Sequence, residues 1–228
     1  MKQEMKQDWK QTLKELWKKE KWYWLSAVVL GVLLSLLFAA HWTVGYADMI
    51  QKGIGAKVVR FHVLANSDSE EDQALKLAVR DCVLQEYGKL LEVCTSKQET
   101  LAALAQAQQE ICETAEKEVL AQGYAYPVRV SLVREEFPFK KYEDLIFPAG
   151  VYDALRIEIG EAKGQNWWCV LYPQMCFVDA AWGYTTQESH LRLQNTLTEE
   201  EFLVVSALEQ ERLTPKLKCR LVTAWCGK

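Results

Sequence analysis

The sequence contains no C-x-x-C pair, no Gly-rich phosphate loop and no G-x-S-x-G turn. The usual zinc spacing, a ready-made nucleotide cradle and the nucleophile elbow of a hydrolase are therefore all missing. Neither a metal nor a cofactor is expected. Histidine is scarce: His41, His62 and His190 are the three present, which limits the acid–base chemistry that can be drawn. No internal repeat or low-complexity tract occurs. Beyond the N-terminus basic residues run short. Residues 48–228 hold 20 basic and 27 acidic side chains, a net of −7, which argues against a nucleic-acid partner.

Charge is absent altogether from Trp22–Ala40, whereas seven lysines precede it within residues 1–21. At about 1.5 Å per residue this stretch is long enough for a bilayer core of roughly 30 Å. Trp22, Tyr23 and Trp24 stand at one end and Trp42 at the other, where interfacial aromatics belong. The lysine-rich side stays in the cytoplasm and the rest of the chain is placed outside. The expected organisation is a basic cytoplasmic tail (1–21), a signal anchor or transmembrane helix (22–42), a linker with Gly53 and Gly55 (43–57), a domain (58–182) and a C-terminal extension (183–228). Gly45-Tyr46-Ala47 keeps cleavage after Ala47 open.

All seven cysteines lie beyond that segment, where disulfides are permitted, and their number is odd. Cys82 and Cys112 fall among apolar helix positions and read as small buried hydrophobes. Cys169 and Cys176 flank Pro173, whose turn lets them face each other, so they are the disulfide candidate. Cys219 and Cys226 are the second choice.

Val59, Phe61, Val63 and Ala65 alternate with Arg60, His62 and Leu64, the period of a strand. The strand runs through Asn66-Ser67-Asp68-Ser69 into a helix whose apolar stripe is Leu75, Ala78, Val79, Cys82 and Val83. Ser67 with Glu70, or Asp68 with Glu71, has the spacing of a capping box. A second helix is predicted from Lys97 to Gln122. Ser96 and Glu99 would cap it, Gly123 would close it, and its apolar stripe has one polar exception, Gln108. Strands follow around Val128–Leu132 and Leu155–Ile159. Trp167–Tyr172, apolar throughout, reads as central in the sheet, and Gly160–Gly164 as a hairpin turn. In the extension Thr198 with Glu201 caps a helix that Thr214-Pro215 stops, and Leu217–Trp225 reads as a strand. The fold class is α+β: an antiparallel or mixed sheet with two helices on one face, behind an N-terminal membrane helix.

Arg60–Ser69 with Asp72–Lys76 and Val79-Arg80-Asp81 resembles the stage II sporulation protein R family. Gly123-Tyr124, Tyr126-Pro127-Val128, Pro148-Ala149-Gly150, Tyr152, Ala154-Leu155-Arg156 and Gly160 fit the same pattern. So do Asn166–Pro173 and Cys176–Asp179. The resemblance covers residues 58–180. It implies a signal rather than a catalyst. Such a protein is made in the forespore and exported into the space between forespore and mother cell. There it activates a membrane-embedded protease that processes a pro-sigma factor.

Two rivals come from other classes. One is a secreted hydrolase using His62 with Ser67 or Cys169. The other is a wall or membrane anchor protein without a receptor. For the joint itself, Ser67 and Asp68 capping a helix is compatible with His62, Asn66, Ser67 and Asp68 forming a receptor-binding patch.

Overall fold

The computed structural model describes residues 2–142, 145–175 and 187–206, with residues 2–20 described by backbone alone. Helix α1 runs over Lys2–Lys57. The chain divides after Met49 into two units. In the first, the helix is long and apolar enough to cross a membrane, and its apolar side chains are exposed. Three of its hydroxyls bond back to the helix: Ser26, Ser35 and Thr43 donate to the carbonyls of Tyr23, Gly31 and Ala40. That satisfies polar groups where lipid would offer no partner.

The second unit begins inside the same helix. Residues 46–56, expected as a linker, are helical, and Ile50 and Ile54 are buried. The two glycines mark close approach rather than flexibility. A Cβ on Gly55 would stand 2.7 Å from the Val151 carbonyl oxygen, and one on Gly53 would overlap the Glu201 carboxylate. Lys97 Nζ donates to the Gly55 carbonyl at 2.6 Å and pairs with Asp153 at 2.6 Å.

Four strands form one sheet: β1 (Val59–Leu64), β2 (Val128–Phe137), β5 (Gly150–Ile159) and β6 (Asn166–Tyr172), in the order β2-β5-β1-β6. Strand β1 is parallel to β5 and antiparallel to β6, and β2 is antiparallel to β5. The fold is therefore α+β with a mixed sheet. Helices α2 (Glu70–Glu92) and α3 (Lys97–Ala121) cover one face. There Phe61 and Val63 meet Val79, Leu104, Ile111 and Ile157. A second core fills part of the opposite face, where Ile54, Tyr152, Ala154 and Val170 pack with a hairpin and two helices. The hairpin is β3 (Lys140–Tyr142) and β4 (Leu145–Phe147); the helices are α4 (Gln187–Thr196) and α5 (Glu199–Val205).

Several expectations need correction. Strand β6 is at the edge among the described strands, not central. It is apolar throughout because Cys169 and Leu171 enter one core and Val170 the other. Gly160–Gly164 is a crossover, since β1 lies between β5 and β6. Helix α2 is capped by Ser69, whose hydroxyl accepts from the Asp72 amide, rather than by Ser67 or Asp68. Cys82 and Cys112 are half-buried free thiols. The Ser96 cap, the Thr198–Glu201 capping box and the Gly123 stop all form. Gly123 has φ +87° and donates to the Leu120 carbonyl while Tyr124 donates to Val119, a Schellman ending. Gln108 earns its place in the apolar stripe by donating to the Val130 carbonyl at 2.9 Å on the outer strand. Thr214-Pro215 and Leu217–Trp225 lie outside the described residues.

Candidate contact site at the strand–helix joint

The joint gathers its polar groups around the crossover loop that follows β5. Asn66 Oδ1 accepts from the Glu161 amide at 2.9 Å and Asp68 Oδ1 from the Gln165 amide at 2.7 Å. The Asn66 and Ala65 carbonyls accept from the amides of Lys163 and Gly164 at 3.2 and 3.0 Å. Gly164 sits so near the Ser67 carbonyl that no Cβ fits there. Lys76, on the first turns of α2, donates to the Gln165 carbonyl at 2.9 Å.

Asp72 ties the joint to the helix. Its Oδ2 accepts from Asn66 Nδ2 at 2.8 Å and from the Ser67 hydroxyl at 2.5 Å. Burial opposes its ionisation, but the bonds from Ser67, Asn66 and Tyr126 outweigh that and hold the carboxyl below the usual range. The Tyr126 hydroxyl brings in a third segment, residues 123–127, which is further fastened by the Gly160 amide on the Pro127 carbonyl at 2.9 Å. Tyr126 and Tyr124 stack with ring centroids 5.4 Å apart. Thus three stretches far apart in sequence meet at one end of the sheet. Asn66 and Ser67 are half-buried there and Asp68 is exposed. Sequence reasoning found the joint but missed the tyrosines, although Tyr-x-Tyr directly before a strand was the available signal.

His62 is elsewhere. It is 3% exposed, stacked on Trp168 at 4.9 Å and set edge-on to Phe137 at 5.2 Å. Its Nε2 lies 2.5 Å from Glu135 Oε1, yet neither atom has an aligned hydrogen bond among the described residues. Burial pushes its pKa down to about 4, helped by Arg156 and Arg60 and opposed by Glu158. The ring is therefore neutral at pH 7. Cys169 opposes Phe61 in the register and enters the core on the other face, so it does not meet His62. The Ser67 hydroxyl is given to Asp72. The pairs considered for a hydrolase do not assemble. Cys169 is disulfide-bonded, and Cys82, Cys94 and Cys112 are free. Cys176, Cys219 and Cys226 lie outside the described residues. Among the described residues no group of three or more His, Cys, Asp or Glu side chains is placed to hold a metal ion.

A depressed histidine has a measurable consequence. Between pH 6.5 and about 4 the unfolded chain binds a proton at His62 that the folded chain refuses, so stability falls as pH falls through that window. The full effect is about 3 kcal/mol at roughly 1.4 kcal/mol per unit. Urea titrations at pH 7 and pH 4.5 will show a smaller loss for His62→Gln than for the unaltered chain. Equal losses would remove His62 from the acid response.

Arg60 was read only as the alternate face of the strand. It is fully buried, ringed by Phe137, Tyr142, Phe147 and Tyr152 at 4.9 to 5.9 Å. Nε donates to the Cys169 carbonyl at 3.1 Å and Nη2 to the Tyr142 hydroxyl at 3.0 Å, while Nη1 has no partner among the described residues. Burial lowers its pKa. Aromatic faces and two acceptors offset the desolvation of a cation that has no carboxylate beside it among the described residues.

Residues 55–182 match a family model described as Stage II sporulation protein R (spore_II_R). A relative from Bacillus subtilis (strain 168), described as "Stage II sporulation protein R", is 36% identical over 132 residues. That match covers 58% of this chain and 59% of the relative, so the chain spans about three fifths of the relative's length. No solved structure matches. The matched stretch contains the joint, the crossover loop and the tyrosine segment.

Proposed function

Because the chain belongs to the stage II sporulation protein R family, we propose that it is an exported signal of endospore formation, acting by contact rather than by catalysis. It is made in the forespore and crosses into the space between forespore and mother cell. There it activates a membrane-embedded protease that processes a pro-sigma factor. Beyond family membership, one observation carries the export half of this reading: a charge-free helix behind a lysine-rich tail, leading directly into a folded unit. The N-terminal helix serves as signal sequence or anchor.

Activation is differential binding. The signal favours the active arrangement of the protease only to the extent that it binds that arrangement more tightly. The contact runs through Asn66, Ser67 and Asp68, held in place by the crossover loop. His62 serves this surface only through the strand that carries it. A bridge between Cys169 and Cys176 belongs to the same proposal, and non-reducing mass spectrometry of the exported chain reads it directly.

The test is co-production of the full chain with the protease and its pro-sigma substrate in a bacterium that does not sporulate. Processing is expected only when all three are present. Unprocessed substrate in that strain, with the chain exported and folded, would end the signalling reading.

A further inference from the structure

We infer that the cavity where the end of β6, the α2–α3 turn and α4 meet binds a small organic carboxylate, an inference that stands apart from the signalling reading. The cavity has a volume of about 240 Å³. Liquid water takes roughly 30 Å³ per molecule, so a bare ion underfills such a space and a compact acid fits it. Tyr172 and Pro173 line it from the end of β6, Cys94 from the turn between the helices, and Arg192 and Asn195 from α4. Gln174 belongs to the same wall. It is 7% exposed, and its Nε2 is buried without a partner among the described residues. Its Oε1 accepts from Arg192 Nη1, so the carboxamide sits beside the guanidinium that lines the same cavity.

The hydroxyls of the wall are already committed. Tyr172 donates to the Thr95 carbonyl at 2.7 Å and Thr196 to the Arg192 carbonyl at 2.8 Å, while Thr95 gives its own hydroxyl to Glu99 at 2.9 Å. No acidic side chain is among the described lining residues. Glu188, one turn before Arg192 and exposed, accepts from Arg192 Nη2 at 2.8 Å. The groups left to a ligand are the guanidinium and the unsatisfied Gln174 amide. A buried N–H without an acceptor is costly, and a carboxylate accepts from an amide and a guanidinium together. Tyr172, Pro173 and Cys94 add apolar wall for a short aliphatic stem. One arginine, already shared with Glu188, matches the single charge of a carboxylate better than the nearly double charge of a phosphate.

Cys94 is a half-buried free thiol in this wall, so it reports on occupancy. The full chain in detergent is alkylated with neutral iodoacetamide, and each cysteine is followed by peptide mass mapping. Glutarate is the probe, and its neutral diamide, at matched ionic strength, is the comparison. Glutarate is expected to slow labelling of Cys94 about threefold once it reaches roughly twice its Kd. The diamide leaves Cys94 unchanged, and neither compound affects Cys82 or Cys112. Gln174→Leu and Arg192→Gln each remove the protection. No slowing at about 20 mM glutarate, where even a site of about 10 mM Kd is two-thirds filled, overturns the inference. Equal slowing by the diamide overturns it as well, and so does protection that survives Arg192→Gln. If Gln174→Leu unfolds the domain, Arg192→Gln at its half-exposed position carries the test alone. If Cys94 does not react at all, equilibrium dialysis of radiolabelled glutarate against the unaltered chain and Arg192→Gln decides the question, and equal retention by the two overturns the site.

Discussion

A chain beginning at Val58 will fail to fold, whereas one beginning at Asp48 will unfold cooperatively in urea. The difference is the last turns of α1. Ile50 and Ile54 are 6% and 0% exposed in the second core. Truncating a buried Ile to Ala alone costs about 2–5 kcal/mol. Starting at Val58 also strips Lys97 of the Gly55 carbonyl and Glu201 of its 2.5 Å pair with Lys57, leaving buried charges short of partners. The total reaches the roughly 5–15 kcal/mol that holds an ordinary domain together. Far-UV circular dichroism and urea titration of the two chains decide the matter. Matching cooperative transitions would restore residues 43–57 to the role of a linker.

Gly164→Ala will destabilise the domain by about 3 kcal/mol or more and loosen the joint. The added Cβ would run into the Ser67 carbonyl, which is backbone and cannot rotate aside. Relief means moving the crossover loop, and with it the bonds from Lys163, Gly164 and Gln165 to Asn66, Ala65 and Asp68. Each such bond is worth roughly 0.5–1.5 kcal/mol. Gly123→Ala is the control. It also demands a left-handed backbone, at φ +87°, but its Cβ would meet open space, so about 1–2 kcal/mol is expected. Urea midpoints for both variants test the contrast, and a Gly164→Ala loss no larger than that of Gly123→Ala would mean the loop is not locked to the joint.

What sequence could reveal divides by range. Periodicity located β1, α2, α3, β2 and β5, an unbroken apolar run located β6, and local rules found Gly123, Ser96 and the Thr198–Glu201 box. Gly53 and Gly55 misled because a glycine in a linker and a glycine under a neighbouring carbonyl look alike until the neighbour, Val151, is known. The lateral place of β6 was hidden for a similar reason: burial on both faces says nothing about which edge is paired. The hairpin strands, three residues each, are too short for a period. At the joint, Ser67 and Asp68 were the caps read from spacing, and the structure uses Ser69 instead. The choice of Ser69 follows from partners for Ser67 and Asp68 of which Gln165, for Asp68, is nearly a hundred positions away. The same distance concealed that Asn66 and Asp68 hold the loop. Arg60 gave no sign of its burial, since a strand with arginine at an alternate position reads as one-sided.

The parallel pairing of β1 with β5 sets a timetable for the chain. Val59 registers with Asp153, and no earlier segment among the described residues occupies that side of β1. A polypeptide made from its N-terminus onward therefore presents the centre of its sheet long before the strand that completes it. Until β5 is made, β1 has neither parallel neighbour nor closed core, and that closure is non-local and therefore slow. The topology thus leaves the sheet open until nearly a hundred further residues are in place.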